Sequence, residues 1–322
     1  MAAPLVSIII PTYNTGQYIK EAVDSALCQT YKNCEVIVVD DGSTDQTKVI
    51  LKPHIESKKI IYIYQENKGL AGARNTGIRA ATGDYIAFLD ADDVFLPEKI
   101  GRQMLHFAKN PTCDVSYCDL YHFYDEKPGE LLKLNYTYYS GTDVFPNLLK
   151  RHFIAPLSVI MRRSVFDRFG YFDEQLRRAE DLDLWFRISY LGGKICFVPE
   201  QLAKLRMRKT QNLQGLESQP EVKRFNLLVL EKQAARMEKK EKMRYHMRRY
   251  LALYRLKAAF AYLLIGDKKQ AKPYVRGAFN EYPFGWFAGF ILWYATLSWI
   301  PSVLLKKIVQ ARLIAKRAKN FI

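Results

Sequence analysis

Asp90, Asp92 and Asp93 place three carboxylates within four residues, directly after the apolar run Tyr85–Leu89. Acidic side chains packed that tightly repel one another, and a divalent cation relieves the repulsion. Mg²⁺ or Mn²⁺ prefers oxygen ligands and often joins one or two carboxylates to substrate phosphates. The competing reading is an acidic turn, with Asp92 or Asp93 capping a helix that begins near Pro97. A second acidic turn, Asp40-Asp41-Gly42-Ser43-Thr44-Asp45, follows the apolar run Glu35–Val39. A carboxylate there can accept a hydrogen bond from a base N–H or a ribose hydroxyl, although Asp-Asp-Gly is also an ordinary turn. Pro11-Thr12-Tyr13-Asn14 ends the first apolar run in the same way. In Asn67–Asn75, Gly69 and Gly72 let backbone N–H groups approach a ligand, and Arg74 adds a cation. The same residues also suit a helix entry packed on a sheet, and they match neither Walker nor GxGxxG spacing. Last, Asp181 and Trp185 are four apart and share one helix face. They read as a general base beside an aromatic platform for an acceptor sugar, with Glu180 alongside; the alternative is an acidic helix cap.

The elements that must position these groups follow from periodicity. Leu5–Ile10, Glu35–Val39, Ile60–Tyr64, Tyr85–Leu89 and Asp114–Tyr117 read as buried strands. Helical spacing covers Gln17–Gln29, Gln46–Ser57, Pro97–Lys109 and Glu180–Leu191, and the small-residue turn Asn67–Asn75 enters a helix that runs to about Ala81. Strands alternating with helices imply βαβ units and a mostly parallel, doubly wound, Rossmann-like α/β sheet. Ligands of such sheets bind at the carboxyl ends of the strands, where every polar turn above falls. Residues 118–160 read as an aromatic, irregular, substrate-facing insertion.

Charge divides the chain. From Gln201 onward there are 26 Lys and Arg against 7 Asp and Glu, a balance of +19; the first 200 residues hold 23 against 26, a balance of −3. Residues 1–215 therefore read as a catalytic domain and 216–322 as a basic helical domain, with helices at Glu221–Lys242, Arg244–Leu264 and Asp267–Glu281. Phe284–Leu305 carries no charge over 22 residues, and six basic residues follow it without an acid. A single span from a cytoplasmic N-terminal half would carry that basic tail across the membrane, against the positive-inside tendency. The segment 284–305 is therefore read as lying in an anionic membrane interface, with a helix buried in the domain as the alternative. Five cysteines without a CxxC pair are expected to be buried reduced thiols of a cytosolic protein. A zinc site has no HxxxH support, and no signal peptide is legible.

Taken together, PTYN at 11–14, DDGSTD at 40–45, NKGLAGARN at 67–75, GDYIAFLDADD at 83–93 and EDLDLWFR at 180–187 resemble the family 2 glycosyltransferases of GT-A fold. The resemblance covers about residues 4–210. It implies inverting transfer of a sugar from a nucleotide-diphosphate donor, UDP-linked in most of the family, to an acceptor hydroxyl. By position, Thr12 and Asp41 resemble base-contacting residues, with Pro11 and Tyr13 shaping the pocket. Arg74 resembles a base or diphosphate contact, Asp90 a ribose contact, Asp92 with Asp93 the Mn²⁺ or Mg²⁺ ligands, and Asp181 the catalytic base. Many relatives place a metal-binding histidine where Arg208 stands, so that either the aspartates and phosphates alone hold the metal here or Arg208 is a contact that neutralises the diphosphate. No QxxRW motif and no series of spans support a processive synthase. The implied setting is the inner face of the membrane, in cell-surface polysaccharide or glycolipid assembly, with a carbohydrate or lipid-linked acceptor and no nucleic acid. The rivals are a nucleotidyltransferase, whose Gly-rich loop after strand one is missing, and a non-catalytic membrane- or nucleic-acid-binding scaffold.

Overall fold

The computed structural model describes residues 3–134, 137–207 and 211–282, with backbone alone for 211–218. Two compact units divide it, Met1–Met207 and Arg208–Ile322. The first runs β1 (Val6–Thr12), α1 (Gly16–Leu27), β2 (Cys34–Asp40), α2 (Thr47–Glu56), β3 (Ile61–Tyr64), α3 (Gly69–Ala80), β4 (Tyr85–Phe88), β5 (Val94–Phe95) and α4 (Lys99–Lys109). It continues through β6 (Val115–Tyr124), β7 (Lys127–Lys133), α5 (Val144–Leu148), β8 (Val159–Arg162), α6 (Ser164–Phe169), α7 (Glu180–Tyr190) and β9 (Ile195–Met207).

The sheet order is β3-β2-β1-β4-β8-β6-β9-β5, with β7 paired to β6. Strands β1 to β4 are parallel, as alternating strands and helices require. Chain order runs outward from β1 to β3 and then returns to β4 on the other side of β1. That reversal opens a crevice at the strand ends after Thr12, Asp40 and Phe88. Helix α3 lies close on β1 because residue 77 is glycine; a Cβ there would collide with Ile9. Buried Ile8, Ile10, Val36, Val38, Ala87 and Leu89 form the core below this edge.

Beyond β4 the sheet becomes mixed. Strand β8 lies antiparallel to both β4 and β6, while β6 pairs parallel with β9. The stretch 118–160 is therefore more regular than its composition suggests. It holds the rest of β6, the hairpin strand β7, α5 and the entry to β8. Cys113 and Cys196 form a disulfide, with 6.2 Å between their Cα atoms, which corrects the expectation of five free thiols. The cause is the parallel register of β6 and β9, which sets Val115 opposite Ile195 and brings together cysteines 83 residues apart.

The second unit contains α8 (Gln211–Arg236), α9 (Lys239–Arg244), α10 (Met247–Leu264) and α11 (Lys268–Glu281). Asp267 caps α11 by accepting from the Gln270 backbone N–H at 2.9 Å. Ala259, Leu263, Leu264 and Ala271 pack between α10 and α11, where Tyr262 and Tyr274 stack at 5.5 Å. Among the described residues no helix is long and apolar enough to cross a membrane. Arg208 and the segment 284–305 lie outside the described residues.

Candidate active site

Four strand ends meet at one edge of the parallel half. At the end of β1, Pro11 and Thr12 are buried, and Tyr13 just beyond is half exposed. The Thr12 hydroxyl is 2.6 Å from that of Thr15. The Asn14 backbone N–H donates to Ser43 Oγ at 2.9 Å, and the Thr44 N–H donates to Asn14 Oδ1 at 2.8 Å. These bonds stitch the first two loops into one rim, from which Tyr13 projects. Asp40 faces inward, accepting from the Ser43 N–H and the Tyr62 hydroxyl.

Asp41 lies under that rim, 3% exposed. Its carboxylate accepts from Gln65 Nε2 at 2.6 Å and from the backbone N–H groups of Lys68 and Gly69 at 2.9 and 2.8 Å. It thus holds the start of α3, where Gly69 adopts φ +78°. A carboxylate has about four lone-pair positions. Three are filled, which leaves one acceptor position.

Arg74 is not the free cation that its loop position suggested. It is 2% exposed, and it donates to Glu180 Oε1 at 2.5 Å and Asp90 Oδ1 at 2.7 Å. The reason is geometry: α3 packs on β1 and β2, and its arginine reaches from there to Asp90 after β4 and to Glu180 at the start of α7. Burial works to lower the Arg74 pKa, but Asp90, Glu180 and Asp181 outweigh it and raise the value. Glu180 is correspondingly no acceptor contact. It is 6% exposed and committed to Arg74, and burial pushes its carboxyl pKa up against the pull of the guanidinium.

Trp185 is likewise withdrawn from the surface. It is fully buried, and its indole Nε1–H donates to the Ile154 carbonyl at 3.1 Å. The i,i+4 spacing from Asp181 is real, but the helix turns that face toward the core as it rises. No sugar can lie on a ring with no exposed surface.

The acidic turn separates its three members. Asp90 keeps 29% of its side chain exposed beside Arg74, and Asp92 is half-buried. Asp93 turns inward, 5% exposed, and accepts from the Arg206 backbone N–H at 2.8 Å. Burial, and then Asp90 and Asp92 nearby, push its carboxyl well above the usual carboxylate range. Turned inward and committed to the Arg206 backbone, Asp93 is more buried than the other two carboxylates of the turn. Among the described residues no group of three or more His, Cys, Asp or Glu side chains is arranged to hold a metal. Asp92, with Asp90 beside it, is a hard-oxygen set of the sparse kind that Mg²⁺ or Mn²⁺ completes with substrate phosphates and water.

Arg206, on β9, is a residue that the motifs did not single out. Its Nε donates to the Asp92 carbonyl at 2.6 Å, and its two Nη atoms reach Asp125 and Glu21. Its guanidinium also lies 4.7 Å from the Tyr18 ring centroid and 4.6 Å from that of Phe123. It clamps the acidic turn from below. The only sequence signal was its place two residues before Arg208, at the end of a strand.

Asp181 lies at the start of α7, 14% exposed, and lines a cavity of about 310 Å³ together with Asp90. Other walls come from Leu120, His122, Tyr138, His152 and Leu205. Its Oδ1 accepts from the Leu182 N–H at 2.7 Å, and its Oδ2 lies 3.3 Å from His152 Nε2. The arrangement offers a carboxylate at the wall of a cavity that Asp90, just after β4, also lines.

Comparison with known proteins places this geometry. Residues 7–170, half of the chain, match the model of glycosyl transferase family 2. An uncharacterised glycosyltransferase of Rickettsia prowazekii is 40% identical over 215 residues, which is 65% of this chain and 66% of that protein. Glycosyltransferase GlyG of Streptococcus pneumoniae is 32% identical over 63% of this chain and 71% of its own length. The chain thus spans just under two thirds of the Rickettsia prowazekii relative, and 36% of one from Rickettsia conorii. Among solved structures, S. aureus TarS in complex with UDP superposes with a TM-score of 0.63 at 20% identity, over 91% of this chain and 88% of that one. The mannosyltransferase PcManGT of Pyrobaculum calidifontis, in complex with GDP-Man and Mn²⁺, gives 0.57 at 22% identity, over 100% and 88%. The shared fold is the GT-A type.

Proposed function

Because the chain belongs to glycosyl transferase family 2, we propose that it moves a sugar from a nucleotide diphosphate, UDP in the first instance, to an acceptor hydroxyl with inversion. The observation that carries this reading is that Asp90 and Asp181 line one cavity, one at a nucleotide-type strand end and the other at a helix start. TarS has been solved with UDP and with UDP-GlcNAc, which supports a nucleotide-sugar donor for this fold. In the proposed reaction Asp181 takes the proton of the acceptor hydroxyl as its oxygen bonds to the anomeric carbon. The bond from that carbon to the diphosphate breaks in line, and the nucleotide diphosphate departs from the opposite face. Tyr13, Thr12 and the free acceptor position of Asp41 receive the base, while Asp90, steadied by Arg74, faces the ribose. Asp92 would hold Mg²⁺ or Mn²⁺; a cation bound there supplies Lewis-acid stabilisation of the charge on the leaving diphosphate.

Two measurements test this. A hydrolysis screen of UDP-, GDP- and dTDP-sugars with Mn²⁺ or Mg²⁺ should show turnover of a UDP-sugar above the others; no turnover of any of them rejects the donor assignment. Asp92→Ala should erase the gain in nucleotide affinity on adding Mn²⁺, read by calorimetry with and without the ion. An Mn²⁺-dependent gain that survives the substitution removes Asp92 from the metal site.

The second unit is proposed to hold the enzyme on the inner face of a membrane, near a carbohydrate or lipid-linked acceptor in polysaccharide or glycolipid assembly. Lys239, Lys242, Arg248 and Arg249 line a cavity of about 950 Å³, with Glu281 the one acid among the described lining residues and Met243 well exposed beside them. Basic and apolar groups together suit anionic headgroups. Vesicles rich in anionic lipid should bind the chain in a salt-sensitive way and more tightly than RNA of equal charge does. Preference for RNA would overturn the membrane reading.

A further inference from the structure

We infer that Arg206 is a positioning residue for Asp92, and that its Nε–H sets how well the acidic turn takes up a divalent cation with the nucleotide. This rests on the reading of Asp92 as the metal ligand. The peptide between Asp92 and Asp93 is held on both sides. Its N–H, that of Asp93, donates to the Asp90 carbonyl at 3.0 Å. Its carbonyl, that of Asp92, accepts from Arg206 Nε at 2.6 Å. The Arg206 backbone N–H then donates to the Asp93 carboxylate at 2.8 Å, and β5 follows at once, with Val94 paired to Lys204 of β9. A planar peptide fixed by both its polar groups leaves the Asp92 Cα little room to rock, so the carboxylate leaves the turn in one direction.

Arg206 can serve as this strut because its own head is fixed. The side chain is 6% exposed. The guanidinium lies over the rings of Tyr18 on α1 and Phe123 on β6, and its two Nη atoms meet Asp125 and Glu21. Asp125 is held a second time, by the Tyr18 hydroxyl at 3.0 Å. Helix α1 and the end of β6 therefore hold the fork, and Nε passes that constraint to the turn. Residues that orient a metal ligand in this way are commonly worth about 10–100-fold in metal affinity. Nucleotide bound without a cation makes no use of the Asp92 carboxylate as a ligand. The effect of Arg206 therefore belongs in the gain that the cation brings, and not in metal-free affinity.

Calorimetry with UDP on the full-length protein, with and without Mn²⁺, tests this. Arg206→Lys keeps the charge but sets a methylene where Nε was. It should cut the Mn²⁺-dependent gain in UDP affinity about tenfold, with metal-free affinity within about twofold. Arg206→Gln loses the charged fork but sets an amide N–H where Nε was, and should recover most of that gain. Simple loss of the fork's packing and ion pairs predicts the reverse order, since lysine keeps more of them. A gain in Arg206→Lys within about twofold of the parent, an equal loss with and without Mn²⁺, or an Arg206→Gln gain no better than that of Arg206→Lys each overturns the positioning role. No Mn²⁺-dependent gain in the parent is a different failure, that of Asp92 as a ligand, and takes the role of Arg206 with it. Amide hydrogen exchange without nucleotide reads the strut separately. The Asp93 amide should exchange slowly in the parent and about tenfold faster in Arg206→Lys, the size of one lost hydrogen bond. An Asp93 amide as fast as an open loop in the parent overturns the strut without any variant, and an unchanged rate in Arg206→Lys overturns it as well.

Discussion

Replacing Asp181 by Asn is expected to cut sugar transfer by about 10²–10⁴-fold while leaving nucleotide affinity within about twofold. Asparagine keeps the size of the side chain and can still accept from the Leu182 N–H through its amide oxygen. What it loses is basicity, since an amide cannot take up the acceptor proton. Asp181 accepts from the Leu182 N–H and lies 3.3 Å from His152, and the proposed base-binding residues Thr12, Tyr13 and Asp41 are not among the residues that line its cavity. The loss should therefore fall on kcat, measured with saturating donor and acceptor, while calorimetry with the nucleotide diphosphate shows little change. A variant that turns over at near the parent rate would remove Asp181 from the role of base.

The other large effect is expected at Arg74, and it is one of stability before catalysis. Arg74→Ala should lower the unfolding free energy by about 3–5 kcal/mol, the range for removing one partner of a buried ion pair. Glu180 is 6% exposed and would be left with an unpaired charge. Asp90, at 29%, would lose its anchor and its fixed direction toward the crevice. The sign of the pH dependence follows. Burial raises the Glu180 pKa and Arg74 opposes that rise, so the variant carries an even higher folded-state value. A carboxyl raised above its unfolded value supports the fold below the ordinary carboxylate range and loses that support as pH rises through the folded value. The deficit of Arg74→Ala relative to the parent should thus be smallest in acid and grow toward neutrality. Adding Glu180→Gln, which removes the stranded charge, should restore part of it. Urea unfolding at several pH values checks all three statements. A deficit below about 1 kcal/mol, or one that shrinks as pH rises, would show that the triad is no strut.

How far the sequence reached depended on whether a feature was local. Strand runs ending in Ile10, Val39 and Leu89, the turn Asn67–Asn75 that enters a helix, and a helix starting at Glu180 were legible from periodicity and punctuation. So was the side of the sheet on which the chemistry gathers, because every polar turn follows the carboxyl end of a strand. Strand β8 was not legible as a partner of β4. It is four residues long, and nothing in Val159–Arg162 states that it lies antiparallel between two strands far from it in sequence. The disulfide was hidden for the same reason, since the register of β6 against β9 alone brings Cys113 to Cys196.

The site residues divide along that line. By itself the sequence determined which groups stand at the strand ends, that Asp90 and Asp92 share one turn, and that Asp181 opens a helix. Spacing of one to four residues fixes such relations through the geometry of turns and helices. The tertiary structure decided what each group faces. It set Arg74 against Glu180, 106 residues away, buried Trp185 against Ile154, turned Asp93 toward Arg206, and brought His152 to the proposed base. Those contacts follow from strand order and from which helix face the core takes up. Both are properties of the whole packed sheet, and no short stretch of the chain encodes them.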